Sequence, residues 1–185
     1  MGGGGGYTAE LARALPDSHV TLADLPEIIP IAKEYLDRKG LRDRVEVVAA
    51  DFLSDGCGLG DKTVGRTSGG TFGRTDARTF AKAYDCVFLS HVLHDFDAPA
   101  ASAIVARAAR LVRAPGKLVI LDVLVPDGGQ SNPVEALFDL MMLIEVPGGR
   151  THRISDVREW IKSAGMDSPT PHKLHFGILL ESRAK

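Results

Sequence analysis

Cysteine is scarce in this 185-residue chain: Cys57 and Cys86 stand alone and without pattern. That excludes a disulfide framework and a cysteine-based zinc site, and it points to two free thiols in a reducing compartment, the cytosol by default. Long apolar runs are missing too. No stretch approaches the roughly 18 residues of a membrane span, and the N-terminus has no charged-then-apolar signal region. Neither sign of charge dominates, since 22 Lys and Arg face 24 Asp and Glu for a net charge of −2, so nothing favours nucleic acid or an anionic membrane as a partner. Arg66, Arg74 and Arg78 are interleaved with Asp61 and Asp76, which argues against a single-strand groove. A Tyr-x-x-x-Lys spacing occurs at Tyr35 and Lys39, but Tyr35 falls on the apolar face of its expected helix and no further hydride-transfer set is visible, which weighs against a nicotinamide-dependent oxidoreductase. With 44% hydrophobic and 25% charged residues, the chain reads as one globular domain over residues 1–185 with a small-molecule partner.

What is present begins at once. Gly2 to Gly6 form a glycine run that leads directly into a helical pattern, and Asp24 follows 19 residues after Gly5 at the end of an apolar stretch. Glycines let a backbone take left-handed angles and approach a ligand closely, the amides of a following helix favour electron-rich groups, and an acidic residue about 20 positions on can bond a ribose diol. A glycine run can also serve as a flexible linker, but Asp24 and the segments after it fit a nucleotide pocket. Met1 stands where the buried strand that aims such a loop would end, so the sheet is expected to lack its first strand.

Strands and helices then alternate. Tyr7, Leu11 and Leu15 fall at helical spacing, His19 to Leu25 reads as a short buried strand, and Pro26 suits the first turn of a helix with Ile28, Ile29, Ala32, Tyr35 and Leu36 on one face. Val45 to Phe52 and the nearly all-apolar Tyr84 to Leu93 are further strands, the latter expected to be covered on both faces. Between them, Gly56 to Arg78 has no apolar period, and residues 57–82 are expected to be a flexible insertion. Ile104, Val105, Ala108, Leu111 and Val112 make a helical stripe before the strand Lys117 to Val125. Asn132-Pro133 opens a helix from Val134 to Val146 expected to turn Leu137, Leu140, Met141 and Ile144 inward. Val157, Trp160, Ile161 and Ala164 form a last helix, and Lys173 to Glu181 a closing strand paired with a segment near Ser168 to His172. The pattern predicts a doubly wound α/β sheet.

Two residues stand out for chemistry. His94 lies in Ser90-His91-Val92-Leu93-His94-Asp95-Phe96-Asp97, at the carboxyl end of a strand, where ligands gather in open sheets. Asp122 sits inside the apolar run Leu118 to Pro126, where a charge needs a partner. An imidazole is a natural one: a carboxylate on one ring nitrogen fixes the tautomer and makes the other nitrogen a better base. Asp122 capping a loop is the alternative.

The glycine loop (Gly2, Gly3, Gly5), Asp24-Leu25-Pro26, Ala50-Asp51-Phe52, His91 to Phe96, Pro115-Gly116-Lys117 and Pro147-Gly148-Gly149-Arg150 occur in this order over nearly the whole chain. Together they resemble the catalytic domain of the S-adenosylmethionine-dependent O-methyltransferases of the plant caffeate and animal hydroxyindole type. The resemblance implies a Rossmann-like methyltransferase sheet that binds S-adenosylmethionine through Gly2, Gly3, Gly5, Asp24, Leu25, Asp51, Phe52 and Ser90. Asp24 would hold the ribose, Asp51 and Phe52 flank the adenine, and Ser90 replace a lysine near the cofactor. It implies His94 as general base and Asp122 in place of a glutamate that orients it, with no metal. A second family glutamate is replaced by Thr151, with His152 beside it. Phe138, Met141 and Met142 fall on the helix that lines the acceptor pocket, and a homodimer is the family's assembly. The expected activity is methyl transfer to a hydroxyl of a small aromatic acceptor. A non-catalytic remnant is the rival reading, since the first strand and the helical front domain are expected to be missing.

Overall fold

The computed structural model describes residues 3–53, 84–128 and 133–185. Gly2, Cys57 and the expected insertion lie outside the described residues. The chain divides into two compact units, Met1–Thr79 and Phe80–Lys185.

In the first unit a 3₁₀ turn, Gly3–Gly5, leads into α1 (Gly6–Ala14), β1 (Val20–Asp24), α2 (Ile29–Arg38), a second 3₁₀ turn (Arg42–Arg44) and β2 (Val45–Ala49). β1 and β2 pair in parallel from Val20 opposite Val45 to Asp24 opposite Ala49. Their core is Ala9, Ala12, Leu22, Ala32, Leu36 and Val45. Helix α1 forms where its spacing places it, yet Tyr7, Leu11 and Leu15 are exposed and Thr8, Ala9 and Ala12 are buried. Alanines let the helix axis approach the two strands closely, a packing that larger residues would prevent. α2 starts later than Pro26 implies; Pro30 occupies its first turn, where a missing N–H costs nothing.

The second unit runs β3 (Tyr84–Ser90), a 3₁₀ turn (Leu93–Asp95), α3 (Ala98–Leu111), β4 (Val112–Asp122), β5 (Leu124–Val125), α4 (Pro133–Glu145), β6 (His152–Arg153), α5 (Ile154–Ser163), β7 (Thr170–Lys173) and β8 (Ile178–Arg183). Its main sheet has the order β3-β4-β8-β7, with β3 parallel to β4 and β8 antiparallel to both neighbours; β5 and β6 form a short parallel pair. Asp97 caps α3 by accepting the Ala100 N–H at 3.0 Å, and Ala101, Ile104, Val105, Ala108 and Leu111 bury its inner face. β7 and β8 make the expected closing pair, but Lys173 belongs to β7 and the closing strand starts at Ile178, because the chain turns at Gly177.

Two expectations fail here. The third strand ends at Ser90, because His91 takes a left-handed φ of 52° that breaks the extended run. Its first half is also open: Asp85 and Cys86 are exposed because β3 is an edge strand among the described residues. In α4 the inward face is wrong. Met142 is buried and Phe138 half-buried, whereas Leu137, Leu140, Met141 and Ile144 are 39–74% exposed. The helix is apolar nearly all round, so its period cannot choose a face; the contacts of Phe138 and the turn after the helix choose it.

Candidate active site

The first unit supplies a glycine turn and two acidic strand tips. Gly4 and Gly5 have φ of 73° and 96°, angles that cost an L-residue about 1–2 kcal/mol, and Gly6 opens α1 directly after them. A Cβ on Gly5 would meet Tyr35, Leu22 and the Ala32 carbonyl only at 3.6–3.9 Å, so backbone angle rather than crowding demands glycine there. Gly3 belongs to the same turn. The Ala50 N–H donates to the Asp24 carbonyl at 2.8 Å, which sets the ends of β1 and β2 side by side with Asp51 one step beyond. Asp24 is buried and its Oδ1 accepts the Leu25 N–H at 2.8 Å; Asp51 accepts the Leu53 N–H at 2.8 Å, and Phe52 is buried. These residues share one strand-tip edge.

The second unit carries a histidine–carboxylate pair at the carboxyl ends of β3 and β4. Ser90 pairs with Leu121, and the His91 N–H donates to the Leu121 carbonyl at 2.8 Å. From there the left-handed turn at His91 swings the chain back over the end of β4, so His94 meets Asp122. His94 Nδ1 and Asp122 Oδ1 are 2.6 Å apart, with Asp122 only 1% and His94 9% exposed. Asp122 also accepts the N–H groups of Leu93 at 2.9 Å, Val92 at 3.3 Å and Val123 at 2.7 Å. A carboxylate only accepts, so Nδ1 donates and Nε2 keeps the lone pair. Burial alone would depress the His94 imidazole, but the hydrogen bond and charge of Asp122, with Asp95 adding, outweigh it and hold it above its ordinary value. Asp95 Oδ1 is 3.6 Å from Nε2, and burial pushes its own carboxyl up, against the lowering effect of His94.

This arrangement suits proton transfer. Ligand atoms of His91, His94 and Asp122 lie within 4.8 Å of one another, a spacing a metal could span. The Asp122 oxygens, however, are already engaged by three amides and an imidazole, so the donor set favours acid–base chemistry over coordination.

The segment after α4 braces the turn that carries His94. Gly148 has φ 85°, and a Cβ on Gly149 would strike Val146 Cβ at 2.7 Å and the Met142 carbonyl at 2.9 Å. The tight turn these glycines allow lets the Arg150 N–H donate to the His94 carbonyl at 2.9 Å. Buried His152 lies 2.9 Å from the Leu93 carbonyl and 3.1 Å from the Phe96 carbonyl through Nε2. Both partners are acceptors, so Nε2 carries the proton and donates to both. Its ring packs edge-on to Trp160 at 5.0 Å, and burial depresses its imidazole despite those bonds. Thr151, at the expected glutamate position, donates its N–H and hydroxyl to Asp139 at 2.8 and 2.7 Å. Phe138 lies edge-on to His94 at 4.9 Å. Ser90 Oγ is buried and has no hydrogen-bond partner among the described residues, a deficit worth about 1–3 kcal/mol that a ligand would remove.

Parallel strands alternating with helices, with a glycine turn at a helix start and acidic strand tips, define the class of Rossmann-like α/β folds. The O-methyltransferase domain model matches residues 1–64 and 69–167, and the chain belongs to that family. It is 29% identical to the 3-hydroxy-5-methyl-1-naphthoate 3-O-methyltransferase of Streptomyces sahachiroi, over 89% of this chain and 41% of that protein. It is 28% identical to the acetylserotonin O-methyltransferase of Rattus norvegicus, over 89% of this chain and 33% of that one. An O-methyltransferase family 2 protein from Planctomyces limnophilus, solved in complex with apigenin, superposes with a TM-score of 0.78 at 28% identity, covering 100% of this chain and 48% of that one. The chain thus spans less than half the length of these relatives, and its Rossmann-like methyltransferase fold agrees with theirs.

Proposed function

We propose that this chain transfers a methyl group from S-adenosylmethionine to a hydroxyl of a small aromatic acceptor, with His94 as general base. The observation that carries this reading is the 2.6 Å bond from His94 Nδ1 to buried Asp122, which leaves Nε2 free to take a hydroxyl proton. S-adenosylmethionine, when bound, supplies an already electrophilic methyl. The protein then has to align the acceptor oxygen, which can supply about 7–11 kcal/mol in the best cases, and accept its proton, worth about 10²- to 10⁴-fold.

In the first unit the residues assigned to the cofactor are Gly2, Gly3, Gly5, Asp24, Leu25, Asp51 and Phe52; the left-handed turn at Gly4 and Gly5 is the feature that fits. In the second unit the unpartnered Ser90 hydroxyl supports the same assignment. Asp122 orients the base. The names of the relatives, which act on a naphthoate and on acetylserotonin, support an aromatic acceptor. Free Cys86 supports the cytosol, and among the described residues no helix is long and apolar enough to cross a membrane. We assign a single catalytic domain to residues 1–185 and a homodimer, for which the apolar stripe on α4 is a suitable surface.

The second reading, a non-catalytic remnant, is favoured by one observation: Thr151 stands where a supporting glutamate is expected and is bonded to Asp139 instead. Calorimetric titration with S-adenosylhomocysteine and with NAD tests the cofactor assignment; binding of NAD alone would overturn it. Methyl transfer to a panel of phenols, compared with His94→Ala, separates enzyme from remnant.

A further inference from the structure

We propose that Phe176, at the tip of the β7–β8 hairpin, is a specificity-determining residue that holds a planar aromatic acceptor by the face of its ring beside His94. The inference rests on the proposed acceptor chemistry for the transfer itself, and on geometry alone for the binding.

Four rings form a closed circuit at this edge of the second unit. His94 and Phe138 are 4.9 Å apart, Phe138 and Phe176 6.1 Å, Phe176 and His91 6.2 Å, and His91 and His94 6.1 Å. The rings come from separate elements: His91 and His94 from the segment after β3, Phe138 from α4, Phe176 from the hairpin. The hairpin tip has little freedom. Ile178 pairs with Asp122, and Gly177, at φ 88°, lies so close that a Cβ would stand 2.8 Å from the Asp122 carbonyl. Phe176 is therefore pinned against the end of the strand that carries the partner of His94.

Its exposure separates it from core aromatics. Phe176 is 46% exposed, and it meets His91 nearly parallel, at 22°. At a centroid distance of 6.2 Å such rings overlap only at their margins, so much of the Phe176 face stays open. The Phe138 edge and the His94 imidazole bound the same place. A flat ring laid on that face gains offset stacking and presents a substituent toward the base, whereas a saturated ring of equal size gains only apolar contact.

The test measures binding of 2-naphthol and of decahydro-2-naphthol, its saturated counterpart, to the full chain and to Phe176→Leu and Phe176→Tyr. Phe176→Leu should weaken 2-naphthol about three- to tenfold, the range of an aromatic pair, and the saturated alcohol much less; Phe176→Tyr should bind both like the parent. Equal weakening of the two alcohols, no change in either, or no binding of 2-naphthol by the parent chain would overturn the proposal. Labelled methyl transfer to 2-naphthol by the parent is read in parallel. Phe176-dependent binding without transfer would overturn the activity and leave the aromatic clamp standing. Transfer in which Phe176→Leu leaves the KM for 2-naphthol unchanged would do the reverse.

Discussion

Asp122→Asn is the sharpest perturbation of this site, because the change is nearly isosteric and the residue is 1% exposed. The carboxylate oxygens accept four donors: His94 Nδ1 and the N–H groups of Val92, Leu93 and Val123. Asparagine offers one accepting oxygen and one donating nitrogen, so either orientation sets its NH₂ against N–H groups. With the oxygen toward His94, Val92 and Leu93 lose their acceptor. With the nitrogen toward His94, the imidazole must accept at Nδ1 and carry its proton on Nε2, which abolishes the base. Removing one partner of a buried ionic pair costs about 3–5 kcal/mol, so the thermal transition should fall without loss of fold. Turnover should fall by about 10²- to 10⁴-fold, the contribution of a general base. The titration should move as well. In the parent, Asp122 holds the His94 imidazole above its ordinary value, so the neutral base is populated only on the alkaline side of that value. In the variant burial acts with less opposition and the acid limb of the rate profile shifts to lower pH. Methyl transfer measured across pH 5–9, with His94 followed by NMR, would read both effects. A variant that keeps turnover within about twofold, with its acid limb unmoved, refutes the pairing as the source of basicity.

Further outcomes follow from the surroundings. Gly149→Ala places a methyl 2.7 Å from Val146 Cβ and should cost about 1–3 kcal/mol in chemical denaturation, with turnover falling as the loop carrying His94 loosens. His152 is depressed by burial, so the folded state binds its proton less readily than the unfolded chain does; stability from this group is present at neutral pH and is lost as pH falls below about 6.5. His152→Gln should flatten that acid loss in a pH series of thermal transitions. Leu137→Lys with Ile144→Lys, at two of the most exposed apolar positions of α4, should lower self-association by light scattering without lowering the thermal transition.

Much of this fold is legible as rhythm. The strands ending at Asp24, Ser90 and Asp122 lie near the apolar runs that announce them, and α3 turns inward Ile104, Val105, Ala108 and Leu111 of the expected stripe, while Val112 opens β4 instead. Faces are harder to read where the pattern is blunt. In α1 the closeness of helix to strand selects alanines over Tyr7 and Leu11, and period carries no information on that closeness. In α4 apolar residues surround the axis, and tertiary contacts, those of Phe138 and of the turn after the helix, pick the side.

The pair of His94 and Asp122 was visible because a carboxylate within an apolar strand requires a partner. The bracing by His152 was not, since its bonds reach main-chain carbonyls that have no sequence signature. Phe176 had a faint signal: an aromatic residue before a glycine, at a hairpin tip on the carboxyl edge of the sheet.

The most direct measurement of the central claim is transfer of a labelled methyl from S-adenosylmethionine to 2-naphthol by the parent chain and by His94→Ala, with S-adenosylhomocysteine affinity measured on both. The account predicts unchanged cofactor affinity and a rate lower by about 10²- to 10⁴-fold in the variant. Equal rates from the two proteins would contradict it.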